Sequence, residues 1–202
     1  METGVSFQTS DKVDIQGAFF QGSDTAVVIT HPHPLYGGDM DNIVVRTIAE
    51  AFQASGFTTL RFNFRGAGQS GGKYDSGNGE GRDVTGAAAY LEKQGLRRIH
   101  LAGYSFGAWV LAHVDTDALP AGNMFMAAPP AGFMDFGKAR PCSRLKLAVT
   151  GSEDEIAPPG RVREAIARIN PAAELKIIQG ADHFFSAGIG ELKAAVEAFL
   201  HI

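Results

Sequence analysis

The chain has very little cysteine and no long apolar run. Its single cysteine, Cys142, excludes an internal disulfide, which suits a reducing compartment. No stretch approaches the roughly 20 consecutive apolar residues that a membrane-spanning helix requires. The N-terminal residues show neither the basic region nor the apolar core of a signal peptide. We therefore expect a cytoplasmic protein with no membrane partner.

Positive charge is also scarce. The 202 residues contain 18 Lys and Arg against 22 Asp and Glu, a formal net charge of −4. This balance gives no basic surface for nucleic acid, so we expect no nucleic-acid partner. The length suits one α/β domain spanning residues 1–202, with no internal repeat or linker-like stretch.

Glycine is abundant, with 25 residues, and the segments between the glycine-rich turns alternate in type. Short apolar runs predict eight strands, at 5–9, 15–20, 26–31, 58–64, 98–104, 123–128, 145–151 and 173–179. Helical spacing predicts helices at about 40–55, 80–94, 106–114, 158–169 and 188–200.

The order of these elements predicts an α/β fold. The first two strands have no helix between them, which indicates an antiparallel hairpin at one edge of a sheet. The remaining strands alternate with helices, so we expect a mostly parallel sheet with helices on both faces. Ligands of such sheets bind beyond the carboxyl ends of the strands. Chemistry is therefore expected in the loops that follow strands.

The stretch GYSFG, residues 103–107, follows a predicted strand and precedes a predicted helix. It matches the G-x-S-x-G pattern in the strand–turn–helix context that a nucleophilic serine requires. Gly103 and Gly107 would let strand and helix approach each other and leave the Ser105 hydroxyl exposed. The amide of Phe106 would then face the same space at the helix N-terminus. The alternative is that Ser105 merely caps the helix.

An acid and a histidine follow two later strands. We favour Asp154 as the acid because it lies shortly after a buried strand, with Glu153, Glu155 and Asp135 as alternatives. His183 follows the last strand and is the candidate general base. Serine, then acid, then histidine is the chain order of one known class of catalytic triad.

The loop HPHPLYGG after the third strand is made stiff by two prolines. Such a loop could hold a second amide beside that of Phe106, as an oxyanion hole requires. Pro32 and Pro34 have no N–H, which leaves His33, our preference, or Leu35. His31 is expected to brace the loop through its carbonyl or ring. A third ligand at suitable spacing is missing, so we expect no metal.

These loops together resemble the α/β-hydrolase superfamily. The stretch NFRGAGQSGG, residues 63–72, is similar to its R-G-x-G-x-S-x-G loop, which is a structural turn there. HPHPLYGG combined with GYSFGAWV and GADHFF resembles one subgroup of small, lidless bacterial serine hydrolases. The resemblance covers essentially the whole chain.

The resemblance implies an α/β-hydrolase fold whose triad is Ser105, Asp154 and His183, with Phe106 as one oxyanion donor. His-Pro stands where His-Gly is commoner in the second oxyanion loop, so His33 and Leu35 both remain candidates. Many relatives carry a helical cap after the sixth strand. Here residues 127–144 leave room only for a loop and one short helix, so we expect an open site without a cap domain.

Residues 129–136 could supply apolar walls to this open site. Phe133, Met134 and Phe136 are expected either to line the pocket or simply to pack as a helix. An open site favours short acyl groups over long chains held in a tunnel. The exposed edge strand or Trp109 could serve a homodimer.

The predicted function is a serine hydrolase that cleaves a small or short-chain carboxylic ester through an acyl-enzyme, with no cofactor. A peptidase, amidase or thioesterase of the same fold would use the same residues, as would a cofactor-free haloperoxidase. The alternative of another class is a binding protein on a hydrolase fold that has lost catalysis.

Overall fold

The fold is built on one eight-stranded sheet, seen in a computed structural model that describes residues 1–202. The strands are β1 (Thr3–Gln8), β2 (Asp14–Phe20), β3 (Thr25–Thr30), β4 (Thr58–Phe62), β5 (Arg98–Tyr104), β6 (Met124–Ala127), β7 (Leu145–Gly151) and β8 (Glu174–Ile178). All eight predicted strands are confirmed, with boundaries that differ by at most a few residues.

The strand order across the sheet is β1-β2-β4-β3-β5-β6-β7-β8. β2 runs antiparallel to both of its neighbours, and every pair from β4 to β8 is parallel. The predicted hairpin at the sheet edge and the mostly parallel remainder are therefore confirmed. β3 and β5 are adjacent in the sheet. The HPHPLYGG loop, which follows β3, and the GYSFG turn, which ends β5, therefore lie side by side.

Five helices accompany the sheet: α1 (Ile43–Ala54), α2 (Asn78–Lys93), α3 (Phe106–His113), α4 (Pro159–Ile169) and α5 (Ile189–Phe199). α1 packs against α5, and α2 packs against α3. The central strands β3 and β4 are buried along almost their whole length. Continuous burial of this kind is expected of parallel strands that helices cover on both faces. No helix of the structure is long and apolar enough to cross a membrane.

The connection between β6 and β7 had room for one short helix but does not form it. Residues 128–144 form turns with no helix, and there is no cap domain. Pro129 and Pro130 open the segment, and proline restricts the residue before it and donates no helical hydrogen bond. The segment is fixed instead by tertiary bonds: Gly132 N donates to Ile156 O at 2.9 Å, and Trp109 Nε1 donates to Asp135 O at 2.7 Å.

A short 3₁₀ helix, Pro34–Tyr36, was not predicted. It lies in the HPHP loop, where His33 is its N-cap and Gly37 ends it at φ 79°. Three residues give too little periodicity for a pattern to predict. Its effect is to set the loop in one conformation at the carboxyl end of β3.

Candidate active site

Ser105 stands on the turn between β5 and α3 in a strained backbone conformation, φ 52° and ψ −117°. A Cβ on Gly103 would lie 2.7 Å from the backbone of Ala108, so glycine is needed where strand meets helix. A Cβ on Gly107 would instead lie 2.5 Å from Thr30 Oγ1, at the end of β3. The Ser105 hydroxyl makes no capping bond to α3. The geometry therefore does not support a serine that serves only as a cap.

The structure brings together the three residues that the sequence singled out. Ser105 Oγ lies 2.9 Å from His183 Nε2. His183 Nδ1 lies 2.9 Å from Asp154 Oδ2 and 3.0 Å from Oδ1. A carboxylate can only accept here, so Nδ1 carries the proton and Nε2 is free to accept from the serine. All three side chains are buried, with residue exposures of 7%, 6% and 3% for Ser105, His183 and Asp154.

Asp154 is held by its own loop. Its Oδ1 accepts from the amides of Ile156 at 2.9 Å and Ala157 at 2.6 Å. These donors orient the carboxylate toward the histidine. The neighbours Glu153 and Glu155 are exposed.

The remaining acids near these loops have other partners. Asp135 accepts from the Gly137 amide at 2.6 Å. Asp182 accepts from the amides of Phe184 and Ser186, and the bonds with Ser186 lower its pKa. Tyr104 donates its hydroxyl to His183 O at 3.1 Å, which anchors the histidine loop to the end of β5.

The two backbone amides that we predicted as oxyanion donors, those of Phe106 and His33, have no hydrogen-bond acceptor within the protein. Leu35 N, the alternative to His33, donates to the His33 ring at Nδ1 over 3.2 Å. Because its amide already has an acceptor, Leu35 is the weaker of the two candidates. The His33 ring also lies 4.7 Å from the ring of Phe106, centroid to centroid.

His31 is fully buried and bonds to the backbone through both ring nitrogens. Phe64 N donates to its Nε2 at 2.9 Å, so the proton sits on Nδ1, which donates to Pro32 O at 2.6 Å. No peptide bond in the chain is cis. With the Pro32 carbonyl held on one side, the His33 N–H of the same peptide unit faces the opposite way. Burial lowers the pKa of His31 to about 4, which keeps the ring neutral.

The Arg-Gly loop that follows β4 supports this arrangement without entering it. Arg65 is buried and its guanidinium forms ion pairs with Asp83 at 2.8 Å and Asp11 at 2.9 Å. Gly66 and Gly68 adopt positive φ values of 77° and 54°, which side chains disfavour. The loop thereby places the Phe64 amide, on its N-terminal side, against the His31 ring.

A cleft of about 450 Å³ opens above Ser105. One wall comes from the HPHP loop and the other from the β6–β7 connection and the loop after β8. Its lining comprises Pro32, His33, Tyr36, Gly37, Gly38, Asn42, Tyr104, Ser105, Phe106, Pro130, Phe133, Met134, Ile156, His183 and Phe184. Phe133 and Met134 thus line the cleft, whereas Phe136 is buried away from it.

Tyr36, Phe133 and Phe184 form an aromatic rim at the mouth of the cleft, each between 60% and 75% exposed. The rings of Tyr36 and Phe133 approach from opposite walls, with centroids 6.2 Å apart. Phe133 was one of the residues expected either to line the pocket or to pack as a helix, whereas Tyr36 and Phe184 were not predicted. Their position beside the HPHP and GADHFF motifs was an available signal, since loops after strands carry the site. Which aromatic residues of a loop face a cleft depends on its conformation, which the pattern does not give.

A mixed sheet of this strand order, with a serine, a histidine and a carboxylate in contact at the carboxyl ends of its parallel strands, defines an α/β-hydrolase. No protein-family model matches the chain. An uncharacterized protein of Rickettsia prowazekii is 34% identical over 184 residues, which is 86% of this chain and 77% of the relative.

Two solved structures superpose over nearly the whole chain. An α/β serine hydrolase homologue from Coxiella burnetii is 33% identical with a TM-score of 0.88, covering 98% of this chain and 97% of the other. A serine hydrolase without a lid from Xanthomonas campestris is 28% identical with a TM-score of 0.89, covering 99% and 94%. The chain belongs to the α/β serine hydrolase family, and within it to the group without a lid.

Proposed function

We propose that this protein is a serine hydrolase that cleaves small or short-chain carboxylic esters through an acyl-enzyme intermediate. The observation that carries the proposal is the unbroken line of contacts from the Ser105 hydroxyl through His183 to the buried Asp154 carboxylate. A chain that had lost catalysis would have no need to keep a strained serine in line with a histidine and a buried acid. Its relatives of known structure supply the same expectation of hydrolysis.

In the first half-reaction Ser105 Oγ attacks the carbonyl carbon of the ester while His183 Nε2 takes the hydroxyl proton. The negative charge that develops on the carbonyl oxygen is stabilised by the amides of Phe106 and His33. Asp154 accepts from Nδ1 and stabilises the imidazolium. His183 then returns the proton to the leaving alkoxide as the C–O bond breaks, leaving the acyl group on Ser105.

In the second half-reaction a water molecule attacks the acyl carbon and gives its proton to His183. The second tetrahedral intermediate collapses, the bond to Ser105 Oγ breaks, and His183 returns the proton to the serine. The products are a carboxylic acid and the restored enzyme. This scheme uses only side chains and amides of the chain.

The cleft favours short acyl groups. It is bounded by loops with no cap domain above them, so a long chain would extend past the aromatic rim into solvent. Only the apolar carbons that leave water add to binding, each buried methylene contributing about 0.8 kcal/mol. We expect activity to rise from acetate to butyrate or octanoate and to gain nothing further with palmitate.

The test is hydrolysis of 4-nitrophenyl acetate, butyrate, octanoate and palmitate, together with fluorophosphonate labelling located by mass spectrometry. The label should fall on Ser105, and Ser105→Ala should lose labelling and roughly 10⁶-fold in kcat. Asp154→Asn should lose about 10⁴-fold because it favours the wrong histidine tautomer. Glu155→Gln, in the same loop but exposed, is the matched control and should keep its activity. Absence of both turnover and labelling in the wild type would overturn the proposal.

A further inference from the structure

The cleft lining contains no permanently cationic side chain. None of its 15 lining residues is a lysine, arginine, aspartate or glutamate. The polar atoms available in its walls belong to neutral groups such as the Asn42 amide and the Tyr36 hydroxyl. A substrate carboxylate or phosphate in this space would therefore lose water without gaining a cationic partner.

The arginines on the neighbouring strand end are committed elsewhere. Arg61 Nε donates to Glu2 at 2.9 Å and its Nη1 donates to Asp41 at 2.6 Å. Arg65 donates to the fully buried Asp83 from Nε and Nη2 of its guanidinium, and its Nη1 donates to Asp11 at 2.9 Å. A guanidinium with this many charged acceptors is not free to swing into the cleft when an anionic substrate arrives.

Carboxylates lie close enough to two residues of the cleft lining to affect their pKa values. Glu80 is buried, accepts from backbone amides, and partly opposes the lowering of the His33 pKa by burial. At the other wall the pKa of Tyr104 is raised first by burial and then by the carboxylates of Asp154 and Asp182. These carboxylates would repel an anion in the cleft, in addition to the cost of its desolvation.

We propose that the site selects esters whose acyl and alcohol groups are both uncharged and excludes esters that carry a carboxylate or phosphate. This inference rests on the proposed ester hydrolysis. Anions are penalised twice, by desolvation against apolar walls and by repulsion from the surrounding carboxylates. A neutral acyl group instead packs against Met134, Ile156 and the aromatic rim.

The direct test compares the mono-4-nitrophenyl ester of adipic acid with its methyl ester. The two substrates share the scissile bond and chain length, and differ in one negative charge. At pH 8 and low ionic strength we expect kcat/KM for the methyl ester to exceed that for the free acid by about 100-fold. The ratio should shrink in 0.5 M salt, because screening weakens the repulsive part.

A positive charge placed on the rim should weaken the preference. Phe133 is 62% exposed, so it can be replaced without disturbing the core. Phe133→Arg should raise kcat/KM for the free acid by roughly 10-fold relative to the methyl ester, a shift worth one favourable ion pair at a partly solvated site. Phe133→Gln removes the same ring without adding charge and should leave the ratio as in the wild type.

The outcomes separate this inference from the proposed function. Equal kcat/KM for the two adipates, with Ser105 labelled by fluorophosphonate, would overturn charge exclusion and leave ester hydrolysis standing. The same change of ratio in Phe133→Arg and Phe133→Gln would also overturn it, because the effect would then come from packing. Failure of both adipates and of labelling would overturn ester hydrolysis itself.

Discussion

At the scale of single residues, His31 links the Arg-Gly loop to the HPHP loop through one buried ring. Its acceptor nitrogen takes the Phe64 amide and its donor nitrogen holds the Pro32 carbonyl, at 2.9 and 2.6 Å. The amide of His33 belongs to the same peptide unit as that carbonyl. We therefore expect His31 to act as a positioning residue for the second oxyanion donor, without contact to the substrate.

Two substitutions separate the two bonds of His31. Glutamine places a polar atom near the Nε2 position and would keep the acceptor for Phe64 N, whereas asparagine places one near Nδ1 and would keep the donor to Pro32 O. Losing one oxyanion donor costs about 10²–10³ in kcat. We expect His31→Gln to lower kcat by up to about 10²-fold with KM nearly unchanged, and His31→Asn to retain more activity.

Steady-state kinetics and thermal melting of both variants provide the check. If His31 merely stabilises the fold, kcat at a temperature well below the melting point should be the same in both. An equal loss of kcat in the two variants would also contradict the assignment to Pro32 O, because only one of them removes that bond.

Single residues also show what the sequence could and could not predict at the site. Ser105, Asp154 and His183 each follow a different strand, so a parallel sheet had to bring their loops to one edge. The choice of Asp154 over Glu153 and Glu155 depends on which side chain the turn directs inward. Here Oδ1 accepts two amides of its own loop. The roles of the His31 ring nitrogens likewise depend on a contact with a residue 33 positions away.

At the scale of elements, periodicity predicted all eight strands and five helices because most of them are bounded by glycine or proline turns and bury an apolar face. The β6–β7 connection was left open between a short helix and a pocket-lining loop, and the structure has turns there. Its apolar residues are spaced as a helix allows. The hydrogen bonds to Trp109 of α3 and to Ile156, in the loop that carries Asp154, outweigh that local preference. The strand order β2-β4-β3-β5 was not predictable residue by residue, since it is set by long-range pairing.

The contact between α3 and β3 can be tested at a helix glycine. Gly107 and Gly160 are each the second residue of a helix, α3 and α4. A Cβ on Gly107 would lie 2.5 Å from Thr30 Oγ1 and 2.8 Å from His31 O, whereas one on Gly160 meets nothing within 4 Å. Overpacking of this kind costs about 1–3 kcal/mol.

We expect Gly107→Ala to lower the free energy of unfolding by about 1–3 kcal/mol or more. It should also reduce activity, because His31 and the rest of the HPHP loop must shift. Gly160→Ala should leave activity unchanged and stabilise the protein by up to about 1 kcal/mol, since alanine favours the helix. Urea unfolding of both variants measures the difference. Equal stabilities would show that α3 can move away from β3 at little cost.

At the scale of the whole molecule, two histidines buried at different places in the sheet couple stability to pH. His31 follows β3, and His100 lies within β5, where its ring packs between Phe57 and Phe199. Burial lowers the pKa of each to about 4, and for His100 the charges of Arg98 and Arg144 add to the effect. In the unfolded chain each imidazole titrates near its ordinary value of about 6.5.

The sign of the resulting pH dependence follows from proton counting. Between about pH 4 and 6.5 the unfolded state binds more protons at these histidines than the folded state does, so acidification favours unfolding. Their contribution to stability is fully present above about pH 6.5 and is lost as the pH falls toward 4. Each histidine adds a slope approaching 1.4 kcal/mol per pH unit, to order of magnitude.

Replacement of His100 isolates one of these slopes. His100→Asn cannot titrate and places an acceptor near the position of His100 Nδ1, to which Asn123 N donates at 3.2 Å in the wild type. We expect the difference in unfolding free energy between wild type and variant to shrink by about 1.4 kcal/mol per pH unit from pH 6.5 to 4.5. Urea unfolding at several pH values gives that difference directly, and carboxylates that titrate alike in both proteins cancel from it.

A difference independent of pH would contradict the prediction. It would mean that His100 binds a proton as readily in the folded protein as in the unfolded chain, and that Phe57 and Phe199 do not keep its ring neutral.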